Sequence, residues 1–250
     1  MFCCTKGTFL REFNMRLTQS RSGLFWTFFE PFYQVAFFII IKVVIFGTVS
    51  DNYDYTVFLA IAFTPFIMFR NIITKSLGAF TANKNLFIYK QVKPIDTIIA
   101  RVLIEIFITS IVILLFTTIA LYFNFDTNVQ HLGILAFAYI WIIIFAFGLS
   151  ILLAVLNSYT TIVESIISML LTPLLFLSAI FYTVDTLSTE LRDLLLFNPL
   201  THFMEMIHAA YFYTLEDTYV NYTYITFWTI LPLHVGLWFY IKLEKRIISL

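Results

Sequence analysis

The sequence predicts an all-α integral membrane protein with six transmembrane helices, and three observations predict it. Apolar residues make up 60% of the 250 residues and charged residues only 12%, against about 25% charged in an ordinary soluble domain. Mean hydropathy is +0.90. The apolar runs are long and continuous, each near the roughly 20 residues that cross a bilayer, whereas a transmembrane β-barrel would show short alternating segments. A soluble enzyme is excluded on this composition. So is a disordered chain, given 30 Phe and 14 Tyr. The 15 Lys plus Arg are balanced by 15 Asp plus Glu, so there is no basic excess for nucleic acid.

The chain reads as one permease domain over residues 1–250. Residues 1–29 form a tail in which Phe9, Phe13 and Leu17 recur every four residues, with Lys6, Arg11 and Arg16 mostly off that stripe. This is the pattern of an amphipathic helix lying in the membrane interface; a basic anchor flanking the first span is the alternative. The adjacent Cys3 and Cys4 cannot staple a fold, and read as free thiols or a lipidation site. No cleavable signal peptide is evident, since the first long apolar run is long enough to span. The six spans run from Pro31 to Val49, Thr56 to Phe80, Ile98 to Phe123, Leu132 to Leu156, Ser165 to Tyr182 and Tyr224 to Leu243. Residues 185–223, between the last two, contain a moderately apolar stretch broken by Asn198-Pro199. A re-entrant hairpin fits it, because irregular backbone at membrane depth survives only inside protein or beside a wet cavity.

Lys and Arg set the orientation. They fall in the N-terminal tail (Lys6, Arg11, Arg16, Arg21), in the loop after span two (Lys84, Lys90, Lys93) and at the C-terminus (Lys242, Lys245, Arg246). The loops after spans one and three have none, and the segment after span five has only Arg192. Both termini are therefore expected in the cytoplasm.

Several chemistries lack their motifs. No G-x-x-x-x-G-K-[ST] phosphate loop and no G-x-S-x-G elbow occurs. His202 and His208 are six residues apart, so a helix places them about 240° apart, unlike the one-face spacing of a metalloprotease. No metal and no catalytic residue is assigned.

Ionisable groups inside spans are costly and face a bundle interior or water. Lys42 lies mid-span with no acid at i±3 or i±4. It either lines a polar path for an anionic or hydroxyl-rich substrate, or it snorkels or pairs with a carbonyl across the bundle. Arg70 and Lys75 lie in the inner half of span two, where snorkelling explains Lys75 better than Arg70. Arg101 and Glu105 have i, i+4 spacing and are expected to pair along their own helix. Aromatic residues, at 19%, serve as interface belts and core or as stacking faces for sugar rings; composition does not separate the two.

Three local patterns suggest a family. The first is Ser20-Arg21-Ser22-Gly23-Leu24-Phe25-Trp26 with Glu30-Pro31. The second is Asn85-Leu86-Phe87-Ile88-Tyr89-Lys90-Gln91-Val92-Lys93-Pro94-Ile95-Asp96 with Ala100-Arg101. The third is Phe181-Tyr182 followed by Leu196-Phe197-Asn198-Pro199-Leu200-Thr201-His202, Glu205 and Tyr211-Phe212. In this order the chain resembles the permease subunit of type-2 ABC exporters, most like the capsular polysaccharide export permeases of Gram-negative bacteria. It departs from that family where Ala179 follows Ser178 in place of a frequent Gly, where Ser188 follows Leu187 in place of a Pro, and where His208 stands in place of a basic residue.

The resemblance implies a homodimer in the inner membrane with two copies of a separate ABC ATPase. That subunit holds ATP and Mg, so this chain needs no cofactor of its own and is not an enzyme. It also implies periplasmic and outer-membrane polysaccharide export proteins, a lipid-linked polysaccharide and membrane lipids as partners. Residues 82–97 would be the coupling loop, with Leu86, Phe87, Tyr89 and Val92 as an apolar patch flanked by Lys84, Lys90 and Lys93; a basic loop at lipid headgroups is the alternative. Arg16, Arg21, Trp26 and Glu30 would take up substrate. Lys42, Arg70, Lys75, Tyr139, Trp141 and Tyr182 would line the conduit. Asn198, Pro199, His202 and Glu205 would form the outer gate. O-antigen, teichoic acid or a small drug are competing cargoes, and a membrane enzyme acting on lipid-linked sugars is a competing class.

Overall fold

The computed structural model describes residues 23–46, 53–87, 92–160 and 162–248. Among them the chain is helical with no strand: α1 (Gly23–Phe46), α2 (Tyr55–Leu77), α3 (Ala79–Ala82), α4 (Lys84–Phe87), α5 (Pro94–Tyr122), α6 (Leu132–Asn157), α7 (Ile162–Phe176), a 3₁₀ turn at Val184–Thr186, α8 (Thr189–Leu195), α9 (Pro199–Tyr211) and α10 (Tyr222–Ile248). The expected amphipathic helix at the N-terminus lies outside the described residues.

The six expected spans fall on α1, α2, α5, α6, α7 and α10. Among the described residues, four of these helices are long and apolar enough to cross a bilayer: α2, α5, α6 and the Tyr222–Glu244 part of α10. α2 stops at Leu77, and the chain turns at Gly78 into α3 rather than continuing to Phe80. α5 starts at Pro94, whose missing N–H costs nothing in the first turn, and the Asp96 carboxylate accepts the Lys93 N–H at 3.0 Å. It ends where Asn124 takes the left-handed conformation (φ 56), a geometry Asn tolerates.

α7 is shorter than its expected span, with 15 residues ending at Phe176. The cause is a turn in which Ala179 is left-handed at φ 54, the position where the resembled family often has Gly. An L-residue there carries a steric cost that Gly avoids.

α6 is the helix on which the others assemble: it packs against α2, α5, α7, α9 and α10. Against α10 the approach is backbone on backbone. A Cβ on Gly148 would lie 2.6 Å from the Leu233 nitrogen, and one on Gly236 would lie 2.9 Å from the Gly148 carbonyl oxygen. Small residues of this kind let helices touch in a bilayer, where apolar burial gives no driving force between them. Elsewhere on α6, Phe145 stacks on Phe69 of α2 (5.4 Å between ring centres) and on Phe203 of α9 (5.8 Å).

That last contact fixes the depth of α9. Its final turn pairs with the start of α6, His131 N–H donating to Ala210 O at 2.8 Å. Phe203 meets α6 at Phe145, 13 residues past Leu132, or about 20 Å along the helix. Leu200 through Ala210 are all buried. α9 thus dips into the bundle beside the first half of α6 without crossing it.

Two substitutions test these close packings in purified protein. Gly148→Ala should lower stability by about 1–3 kcal/mol, the cost of overpacking a fitted contact, read as a lower Tm. Ala179→Gly should raise stability by about 0.5–1 kcal/mol by relieving the left-handed Ala. An unchanged or lower Tm for the Gly variant would show that the turn is not strained.

Candidate functional site

The residues expected at the outer gate come together around α9, and Asn198, His202 and Glu205 are each engaged with backbone. Asn198 caps the helix, its side-chain oxygen accepting the Leu200 N–H at 3.0 Å, and Pro199 occupies the first turn. The Asn198 amide nitrogen donates to Leu177 O and Ser178 Oγ, both at 3.0 Å. Thr201 adds a hydrogen bond to the same Leu177 carbonyl. The His202 Nε2 lies 2.9 Å from Leu196 O, so it is the donor there. Nδ1 is then left to accept the Asn221 N–H at 3.3 Å. Glu205 accepts the Val184 N–H at 2.7 Å from a buried position. Asn198, Thr201, His202 and Glu205 therefore clasp α9 to the turn at 177–184 and to the chain at Leu196 and Asn221. His208, one turn further on, is fully buried and stacked 3.7 Å over the Phe58 ring. Neither of its ring nitrogens has a hydrogen-bond partner among the described residues.

The expected conduit residues do not converge within one protomer. Arg70 pairs with Glu30 of α1 at 2.9 Å, joining one residue assigned to the conduit with one assigned to substrate uptake. Lys75 does not simply snorkel: its ammonium meets the buried Glu105 carboxylate of α5 at 2.8 Å, and the Arg101 guanidinium donates to the Lys75 carbonyl. The pair expected along one helix is thus drawn into contacts between α2 and α5. Tyr182 lies at the other end of the bundle, next to Phe181, whose carbonyl accepts from the hydroxyl of Tyr55. Tyr55 and Arg70 are 15 residues apart on α2, about 22 Å. Tyr139 donates to Ile61 O at 3.4 Å, and Trp141 is half-buried against Phe137. Lys42 and Trp26 fall on α1 with side chains outside the described residues, as do Arg16, Arg21, Tyr89 and Lys90 altogether.

In the expected coupling loop, Phe87 is 3% exposed and packs in the core, so its ring is not on a docking face. Leu86 and Val92 are half-buried, while Lys84 and Lys93 are exposed. Sequence spacing offers no sign of Ser178 as a support of the gate, because it stands 20 residues from the Asn198 side chain it meets. Tyr219 carries the Arg192 guanidinium over its ring at 4.6 Å.

A family model described as ABC-2 type transporter matches residues 5–212. The chain belongs to the ABC-2 type transporter family. Relatives of this ABC-2 chain include the polysialic acid transport protein KpsM of Escherichia coli, 30% identical over 245 residues that cover 96% of this chain and 93% of that protein. The capsule polysaccharide export inner-membrane protein BexB of Haemophilus influenzae is 27% identical, covering 87% and 81% respectively. The inner-membrane protein of the same description, CtrC of Neisseria meningitidis serogroup B, is 25% identical, covering 95% and 90%.

Asn198 is the residue to test in this ABC-2 site. Asn198→Ala removes the cap and both donors, and should cost about 1–2 kcal/mol from the cap alone. Asn198→Asp keeps the cap acceptor and should fall between wild type and Ala in thermal unfolding. Equal stability of all three would mean that the clasp does not hold α9.

Proposed function

We propose that this chain is the transmembrane permease subunit of an ATP-driven exporter that moves lipid-linked capsular polysaccharide from the cytoplasm across the inner membrane to the periplasm. The observation that carries the reading is the alignment with capsule export proteins over nearly their whole length and this chain's. The distribution of Lys and Arg supports cytoplasmic termini, which puts α4 on the cytoplasmic side and α9 toward the periplasm.

Two copies form the permease, and two copies of an ABC ATPase supply the work. The ATPase docks on the loop around α4 through Leu86, Val92 and the flanking lysines. Displacement of α4 passes to α2 through the short α3, and from α2 to its neighbours through two ion pairs. Arg70–Glu30 carries it to α1, and Lys75–Glu105 to α5. The clasped α9 closes the periplasmic end of the path, which lies between the two protomers. Periplasmic and outer-membrane export proteins receive the polymer.

Deleting the gene and locating the polymer tests this. Antibody against the surface polymer, with electron microscopy of sections, should show polymer lost from outside and accumulating within. Polymer absent from both places would overturn export in favour of a role in synthesis.

A further inference from the structure

A cavity of about 610 Å³ lies between α1, α2, α5 and α6, within the ~300–1,000 Å³ usual for small-molecule sites. Its walls are apolar, with Val35, Ile61, Phe116 and Leu135 contributed by the four helices in turn. Along α2 it extends from Thr56 to Thr64, eight residues or about 12 Å of helix. One leaflet of a bilayer offers about 15 Å of hydrocarbon, half of a core about 30 Å thick. The cavity therefore has the depth of a single leaflet, starting at the loop where α5 and α6 join.

The rim at that loop has a definite charge. Thr127 and Tyr211 line it. Asp54 and Asp126 stand beside them: Asp126 N–H donates to Asp54 Oδ2 at 3.3 Å, and the Tyr211 hydroxyl lies 3.5 Å from Asp126 O. Burial pushes the Tyr211 phenol up, and so do Asp126 and Asp54, so the field of both carboxylates reaches the rim. Residues 47–54 and 123–131 contain no Lys or Arg.

We propose that this cavity binds one acyl chain of a phospholipid whose headgroup carries a primary ammonium, the chain filling the apolar crevice and the ammonium resting against Asp54 and Asp126. A void of this size at hydrocarbon depth forfeits dispersion contacts along its walls, and a lipid chain entering between the helices restores them. The headgroup follows from charge. An anionic lipid would bring its phosphate to two carboxylates with no base to offset them, whereas an ammonium donates to both as charge-assisted hydrogen bonds. The site belongs to the single protomer and does not depend on the cargo that the permease carries.

Native mass spectrometry of the full-length protein, in the assembly it forms in its own membrane, tests the site. Wild type should retain phosphatidylethanolamine above its share of that membrane and in preference to phosphatidylglycerol. The double variant Asp54→Asn, Asp126→Asn keeps a side-chain acceptor for the N–H of residue 126 and should lower that preference about tenfold, the scale of one lost hydrogen bond to a charged group. Ala136 lines the cavity from an exposed position on α6, and Ala136→Phe should fill the crevice and release the lipid. Ala36→Phe does the same from α1 and replaces it if the first variant fails to fold. Absence of a headgroup preference, a preference for anionic lipid, retention of a single-chain lipid or glycolipid instead, or equal retention by wild type and the filled variants would each overturn the proposal.

Discussion

Helices in a bilayer have no surrounding water to drive them together, so they associate through fit. In this chain the fit converges on α6. Its Gly148 admits the backbone of α10 at Leu233, and its Phe145 sits between rings of α2 and α9. A larger residue at 148 would push α10 outward. The positions of α2 and α9 depend on the same helix, because Phe145 is the middle ring of the three. What holds the fold is thus a contact between main chains and a stack of aromatic rings, with the carboxylate ion pairs seen among the described residues lying toward one end.

The second constraint is hydrogen bonding at depth. Chain that does not span must still satisfy its backbone groups, and the 177–221 segment does so with side chains of α9. Asn198 serves Leu200 N–H and Leu177 O, Glu205 serves Val184 N–H, and His202 bridges Leu196 O and Asn221 N–H. The polar pattern around Asn198-Pro199, one of the three on which the resemblance rests, is therefore, in the first instance, the means by which a short helix is kept inside the bundle. At the other end of the bundle, Glu30 and Glu105 tie α1 and α5 to α2 through Arg70 and Lys75. α2 is cross-braced on two sides within five residues of sequence.

The helices were legible because apolar runs of sufficient length have one stable form in a bilayer. The limits were set by interactions that sequence spacing does not encode. Arg101 and Glu105 have the spacing of a same-helix pair, but no spacing points to Lys75, which stands 30 residues from Glu105 and meets it at 2.8 Å. Phe87 sits in an apolar patch that suited a docking face, and α4 turns it into the core. The span ending at Tyr182 ran on past Phe176 because Ala179 carries no hint of a left-handed turn except by comparison with a family that prefers Gly. The cavity beside Tyr139 could not be read at all, since it depends on the spacing of four helices rather than on any one of them. Asn198, His202 and Glu205 were legible as a group, though as a gate and not as a clasp.

The early end of α7 has a consequence for the membrane itself. Fifteen residues extend about 22 Å, while the hydrocarbon slab is about 30 Å thick. Lipids beside α7 meet this mismatch by tilting and shortening toward the helix, at a cost of fractions of a kcal/mol per Å. The exposed side chains of α7 include the apolar Met169 and Leu170. A polar solute passing along so short a helix would cross a narrower dielectric barrier than a full-length span presents.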